Sequence, residues 1–127
     1  IGKNIEHKMM INWSDFNESS AAFISITSCT SLIVPFEDRS KILEFLNYTN
    51  SGDKRISRFI LLPSGYLFCV STIYANTEKI QDESVLKAIF VDSLYYEDAC
   101  HPIIEKLINS DLTLEEAKSE FQSQFEQ

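Results

Sequence analysis

The sequence predicts an α+β fold, an antiparallel twisted sheet packed against helices in the order β-β-(β)-α-β-β-α-α. Three observations predict it. Segments in which apolar and polar residues alternate come in pairs, one before residue 28 and one between residues 55 and 74. Between the pairs, apolar residues recur at helical spacing. They do so again from Val85 onward. The 127 residues make one domain, 1–127, and 44% apolar content with nine Phe, five Tyr and one Trp can build its core. A domain of this size buries roughly two-thirds of its unfolded surface, enough to stand without disulfides or metal.

Each element has a local reason. His7 to Trp13 reads as a strand, with Met9, Ile11 and Trp13 on one side and Lys8 and Asn12 on the other. The polar stretch Ser14 to Ser20 makes a turn. Ala22, Ile24 and Ile26 then alternate with Phe23, Ser25 and Thr27, as a hairpin partner would. Ser28 to Ser31 is a second polar break. Leu32-Ile33-Val34-Pro35 follows as a short extended segment, because the residue before proline is pushed out of the α region.

After Pro35 the period changes. Ile42, Leu43, Phe45, Leu46 and Thr49 share a face opposite Glu37, Asp38, Lys41 and Glu44, which predicts an amphipathic helix of about fifteen residues. Its acidic first turn suits the positive end of the helix dipole, and Asn50-Ser51-Gly52 is its stop. Arg55 to Leu62 and Tyr66 to Tyr74 are two further strands joined by Pro63-Ser64-Gly65, in which Pro presets the turn and Gly supplies a positive φ. Asp82 can cap the next segment, where Val85, Leu86, Ile89, Phe90 and Leu94 recur at helical spacing and the pattern runs on through Ile108. Pro102 interrupts it, predicting either one kinked helix or two helices broken near Asp98 to His101. Thr113-Leu114-Glu115-Glu116 is a capping box that opens a short last helix with Leu114, Ala117 and Phe121 on its apolar stripe.

Composition excludes several functions. Eleven Lys plus Arg against nineteen Asp plus Glu leave a net charge of −8, a poor surface for nucleic acid or anionic membrane. No apolar run approaches the ~20 residues of a membrane span. The chain opens at Ile1 rather than Met, which implies trimming, and it shows no signal-peptide pattern. Only three glycines occur, too few and too scattered for a phosphate-binding loop, a dinucleotide fingerprint or a nucleophile elbow. Three cysteines, at 29, 69 and 100, form no CxxC pair and fit reduced thiols in a cytoplasmic protein.

The remaining constellations read as structural. Cys100 and His101 are adjacent on a helix, about 100° apart, and so do not face each other as a thiolate pair would. Tyr95-Tyr96-Glu97-Asp98 and Glu115-Glu116 read as solvated helix faces and caps rather than cation sites. Asp15, Glu18, Glu37 and Asp38 have no nucleophile or histidine nearby to work with. The N-x-S/T triplets at Asn12, Asn17 and Asn47 are short, common patterns, the last within a helix. No catalytic, cofactor-binding or metal-binding residue is assigned. The hairpin carries more. If helices cover one face of the sheet, Tyr66, Phe68, Val70 and Tyr74, or the opposite set Leu67, Cys69 and Ile73, are left as an apolar contact surface. The alternative is that both faces are buried within one monomer.

The stretch from Ile33 to Lys118 resembles the YbjN family of bacterial proteins, described as sensory transduction regulators. The resemblance lies in Ile33-Val34-Pro35 and in the helix Arg39 to Asn50, closing Leu46-Asn47-Tyr48-Thr49-Asn50. It continues in the hairpin Phe59 to Leu67, in His101-Pro102-Ile103-Ile104, and in Leu112-Thr113-Leu114-Glu115-Glu116-Ala117. It covers about two-thirds of the chain; the residues before Ile33 match only as generic strands, and the family's N-terminal helix is not evident. The resemblance implies a fold similar to class I type III secretion chaperones, small acidic and often dimeric proteins that hold extended segments of other proteins along apolar grooves without catalysis.

The expectation is therefore a non-enzymatic, cytoplasmic protein-interaction module, chaperone-like or regulatory and a homodimer, with no cofactor and no nucleic-acid or membrane partner. Its partner-binding or dimer face would be Tyr66, Phe68, Val70 and Tyr74. The alternative is a small acidic immunity-type protein that neutralises a cationic partner.

Overall fold

The computed structural model describes residues 8–15, 21–52, 56–76 and 83–125, with backbone alone at 8–15, 21–23 and 74–76. In chain order the elements are β1 (Lys8–Asp15), β2 (Ala21–Ile33), a 3-10 turn (Phe36–Asp38), α1 (Arg39–Asn50), β3 (Ser57–Leu61), β4 (Tyr66–Asn76), α2 (Glu83–Ile108) and α3 (Leu114–Phe125). The four strands form one antiparallel sheet in the order β1-β2-β4-β3. The architecture is α+β, with helices packed on an antiparallel sheet. Asp82, Arg55, His7 and residues 16–20 lie outside the described residues.

One strand is longer than its sequence suggests. The polar break expected at Ser28 to Ser31 does not occur, and Leu32-Ile33 is no separate strand; both belong to β2. Ser28 and Thr30 are buried, and β4 supplies ladder partners as far as Cys29 opposite Phe68 and again at Ile33 opposite Tyr66. Backbone pairing outweighs the weak strand preference of serine here. Between those two pairs, three residues of β2 stand against Leu67 alone. The surplus is even, so Ile33 returns to the side of the sheet that Cys29 occupies.

The β3–β4 turn forms as its residues predict. Gly65 holds φ +96°, its N–H donates to the Leu62 carbonyl at 2.8 Å, and Leu62 N–H donates to the Tyr66 carbonyl at 2.9 Å. Val34 N–H in turn donates to the Gly65 carbonyl at 2.8 Å, and Arg39 Nη1 donates to the Pro63 carbonyl at 2.6 Å. The turn is thereby tied to the start of α1.

The helices bury the faces their periodicity marks. In α1 these are Ile42, Phe45, Leu46 and Thr49, and in α3 Ala117 and Phe121; Leu43, expected on the same α1 face, is exposed instead, because it lies about 100° round the helix from Ile42. α1 is preceded by the 3-10 turn, which accounts for the longer helix its sequence suggests. α2 runs unbroken through Pro102, because Tyr96, Cys100, Ile103, Ile104 and Leu107 bury one continuous face on both sides of it. Burying those side chains, at about 1.5–3 kcal/mol each, offsets the roughly 3 kcal/mol that an interior proline costs.

Two clusters make the core. The larger joins α1, α3 and the second half of α2 to Val34, Phe59, Leu67 and Cys69. Phe121 sits at its centre, edge-on to Phe45, Tyr48 and Tyr96. The smaller packs Ile89 of α2 on Ile24 and Ile26 of β2.

Candidate functional site: the sheet face away from the helices

Cross-strand register sorts the residues of the sheet into two faces. On one lie Ile24, Ile26 and Ser28 of β2, Leu67, Cys69 and Ser71 of β4, and Ser57 and Phe59 of β3; all are buried. Among the described residues the helices pack on this side. The other face carries Tyr66, Phe68 and Val70 of β4, with Ile33 opposite Tyr66, Ile60 opposite Phe68 and Arg58 opposite Val70. Ile33 is 56% exposed, Tyr66 45% and Ile60 39%, while Phe68 and Val70 are half-buried. Leu67 and Cys69, the alternative set, belong to the core, whereas Ile73 is half-buried against the smaller cluster. Tyr74 stands opposite Phe23 by register, and its side chain lies outside the described residues.

The face is a contiguous apolar row across three strands, and the irregularity in β2 makes it longer. By returning Ile33 to the side of Tyr66, it extends the row toward the 3-10 turn. There Phe36 is 81% exposed, its ring 5.4 Å from the Arg39 guanidinium. Sequence periodicity did not reveal Ile33, because the polar run Ser28 to Ser31 hides the continuity of β2.

A second arrangement lies under the covered face. Ser57 Oγ shares a hydrogen bond with Ser71 Oγ and donates to Asp92 Oδ2 at 2.6 Å. Cys69 and Cys100 of the larger cluster are buried nearby, as are Ser93 and Glu97. Burial, and then the Glu97 carboxylate, push the Cys69 thiol well above its ordinary range, which makes it a poor nucleophile. The reading of Tyr95 to Asp98 as a solvated run is corrected here. Tyr95 is exposed, but Tyr96 and Glu97 turn inward, since helical spacing from Ser93 and Cys100 aims them at the sheet. The signal was present in the register of the apolar stripe, and the charge of Glu97 masked it.

The other constellations stay apart. Cys100 and His101 are both buried, and His101 Nε2 lies 3.4 Å from Ser31 Oγ on β2. Glu37 is exposed on the 3-10 turn, and Asp38 pairs with Lys41 at 3.6 Å. The side chain of Asp15 and all of Glu18 lie outside the described residues. Glu115 pairs with Lys118 at 3.6 Å, and Glu116 closes the capping box. Among the described residues, no group of three or more His, Cys, Asp and Glu could hold a metal ion, and no helix is long and apolar enough to cross a membrane.

Fold and face together define a class, an α+β protein whose sheet is covered by helices on one side and presents apolar side chains on the other. No family model, curated protein or solved structure matches the chain.

Proposed function

We propose that the chain is a non-catalytic protein-interaction module that binds a protein partner, or a second copy of itself, through the sheet face away from the helices. The observation that carries this reading is the apolar row Ile33, Ile60, Tyr66 and Phe68 on the side away from the helices, the first three exposed and Phe68 half-buried. Fully burying one such side chain contributes about 1.5–3 kcal/mol. An exposed ion pair is worth about 0–1 kcal/mol. The apolar face, rather than the acidic surface, therefore supplies affinity, and the net charge of −8 supplies solubility and selects against acidic partners. A YbjN-like character of residues 33–118 would imply a secretion-chaperone-like fold, and extended segments of other proteins would then be the partner class.

A second reading has one observation in its favour. Leu112, Glu115, Glu116, Ser119 and Glu120 line a shallow acidic hollow beside α3. A cationic partner docking there would make the protein immunity-like, and its binding would fall steeply with salt.

Two variants separate the readings. Phe68→Asp and Tyr66→Asp place a charge in the apolar row without touching the core. Both are expected to abolish partner binding or dimerisation while leaving the circular dichroism spectrum unchanged. Undiminished binding by both removes the sheet-face reading.

A further inference from the structure

The strands put charge of one sign only on the sheet face away from the helices. Register places Arg58 of β3 there, opposite Val70, and Lys8 of β1, opposite Cys29. Asp15, the one acidic residue of the four strands, alternates to the other side. In a chain with nineteen acidic residues and a net charge of −8, this is a local reversal. Arg58 is exposed, and among the described residues no carboxylate pairs with it. Its strand is held in place at the next residue. Asn50, the last residue of α1, donates its Nδ2–H to the Phe59 carbonyl at 2.9 Å and accepts the Phe59 N–H on Oδ1 at 3.1 Å. At the opposite end of the apolar row, beyond Ile33, stand Glu37 and Asp38, the latter paired with Lys41. The row thus has a cationic end at Arg58 and an acidic end at the 3-10 turn.

We infer that the face takes an extended segment of another protein in which two apolar side chains and one carboxylate recur at alternate positions, the carboxylate seated at Arg58. The inference rests on the reading of this face as the binding surface. Tyr66, Phe68 and Val70 follow one another about 6.6 Å apart, and the facing side chains of an extended segment have the same spacing. A segment laid along β4 with apolar side chains over Tyr66 and Phe68 brings its next facing residue to Val70 and Arg58, which stand opposite each other in the ladder. An apolar residue there strips water from the Arg58 guanidinium and returns no hydrogen bond, and a cation meets it with like charge. A carboxylate accepts from it in a two-bonded fork. Partners acidic throughout are still turned away by the net charge. What the face accepts is one carboxylate close to Arg58, inside the Debye length of about 10 Å at 0.1 M salt.

Fluorescence anisotropy with two labelled peptides, built on the cores Leu-Ser-Phe-Ser-Glu and Leu-Ser-Phe-Ser-Lys, tests it on wild type, Arg58→Glu and Phe68→Asp. Arg58 is exposed, so its replacement leaves the core intact. Arg58→Gln, expected to bind both peptides equally, stands in if charge reversal disturbs the circular dichroism spectrum. Wild type is expected to bind the Glu peptide about fivefold more tightly than the Lys peptide at low salt, the upper range for one exposed ion pair. Arg58→Glu reverses the order, and high salt erases the preference without abolishing binding. The net charge of −8 acting alone predicts the opposite order on wild type, so the sign of the preference decides. Phe68→Asp is expected to bind neither peptide. Equal binding by wild type, or a preference for the Lys peptide, overturns the inference; the face reading then stands as long as Phe68→Asp binds neither. Undiminished binding by Phe68→Asp removes the face reading itself. A wild-type chain that binds neither peptide also overturns the inference, and a dimer in sedimentation would then seat a second copy on the face.

Discussion

Glu116 shows how a single residue joins sequence, local structure and pH. Thr113 N–H donates to Glu116 Oε1 at 3.0 Å, and Glu116 N–H donates to Thr113 Oγ1 at 3.2 Å. The Thr113 backbone N–H first, and then the Thr113 hydroxyl, hold the Glu116 carboxyl below the usual range. A carboxyl whose folded pKa is lowered stabilises the fold above its unfolded value, and that stability is lost as the pH falls through the lowered folded value. Wild type should therefore exceed Glu116→Gln in urea midpoint near neutrality, and the gap should close in acid. A gap independent of pH would contradict this role. The capping box was legible in the sequence because all its partners lie within four residues. Glu97 and Asn50 were not, because their partners belong to other elements. The buried face of Glu97 is set by the sheet beneath it, and Asn50 acquires its role only when α1 docks on β3.

At the scale of elements, ends and turns carry the information. The β3–β4 turn was readable from Pro63-Ser64-Gly65, and a Cβ added at Gly65 would lie 2.9 Å from the Val34 carbonyl oxygen as well as forcing φ +96° on an alanine. The end of α2 was not readable. Ser110, with φ 61°, takes the left-handed position that glycine usually fills; its N–H donates to Leu107 at 3.2 Å and that of Asp111 to Lys106 at 2.8 Å. The two sites make opposite predictions. Gly65→Ala should lower stability by at least about 1 kcal/mol, and Ser110→Gly should raise it by about 1 kcal/mol, read as shifts in chemical denaturation at unchanged slope. A stabilised Gly65→Ala or a destabilised Ser110→Gly would contradict the backbone assignments. The length of β2 was hidden for a related reason. Alternation judged from Ser28 to Ser31 shows polar residues, whereas the buried partners of Ser28 and Thr30 are seen only in the assembled sheet.

For the whole molecule, the sequence disclosed the α+β class and the two-faced hairpin, because periodicities of 2 and 3.6 are properties of the chain itself. It left open which face the helices take. That choice follows from packing: Leu67, Cys69 and Phe59 meet α1, α2 and α3 in one cluster, leaving Tyr66, Phe68 and Ile60 outside it. The central claim is that this outer face binds a partner by apolar contact. It is tested most directly by presenting tagged wild-type and Phe68→Asp chains, side by side, to host lysate at low and at high salt. One stoichiometric protein is expected on the wild-type chain, surviving high salt and missing from Phe68→Asp at both. A protein held equally by both chains, or released from wild type by salt, would contradict it.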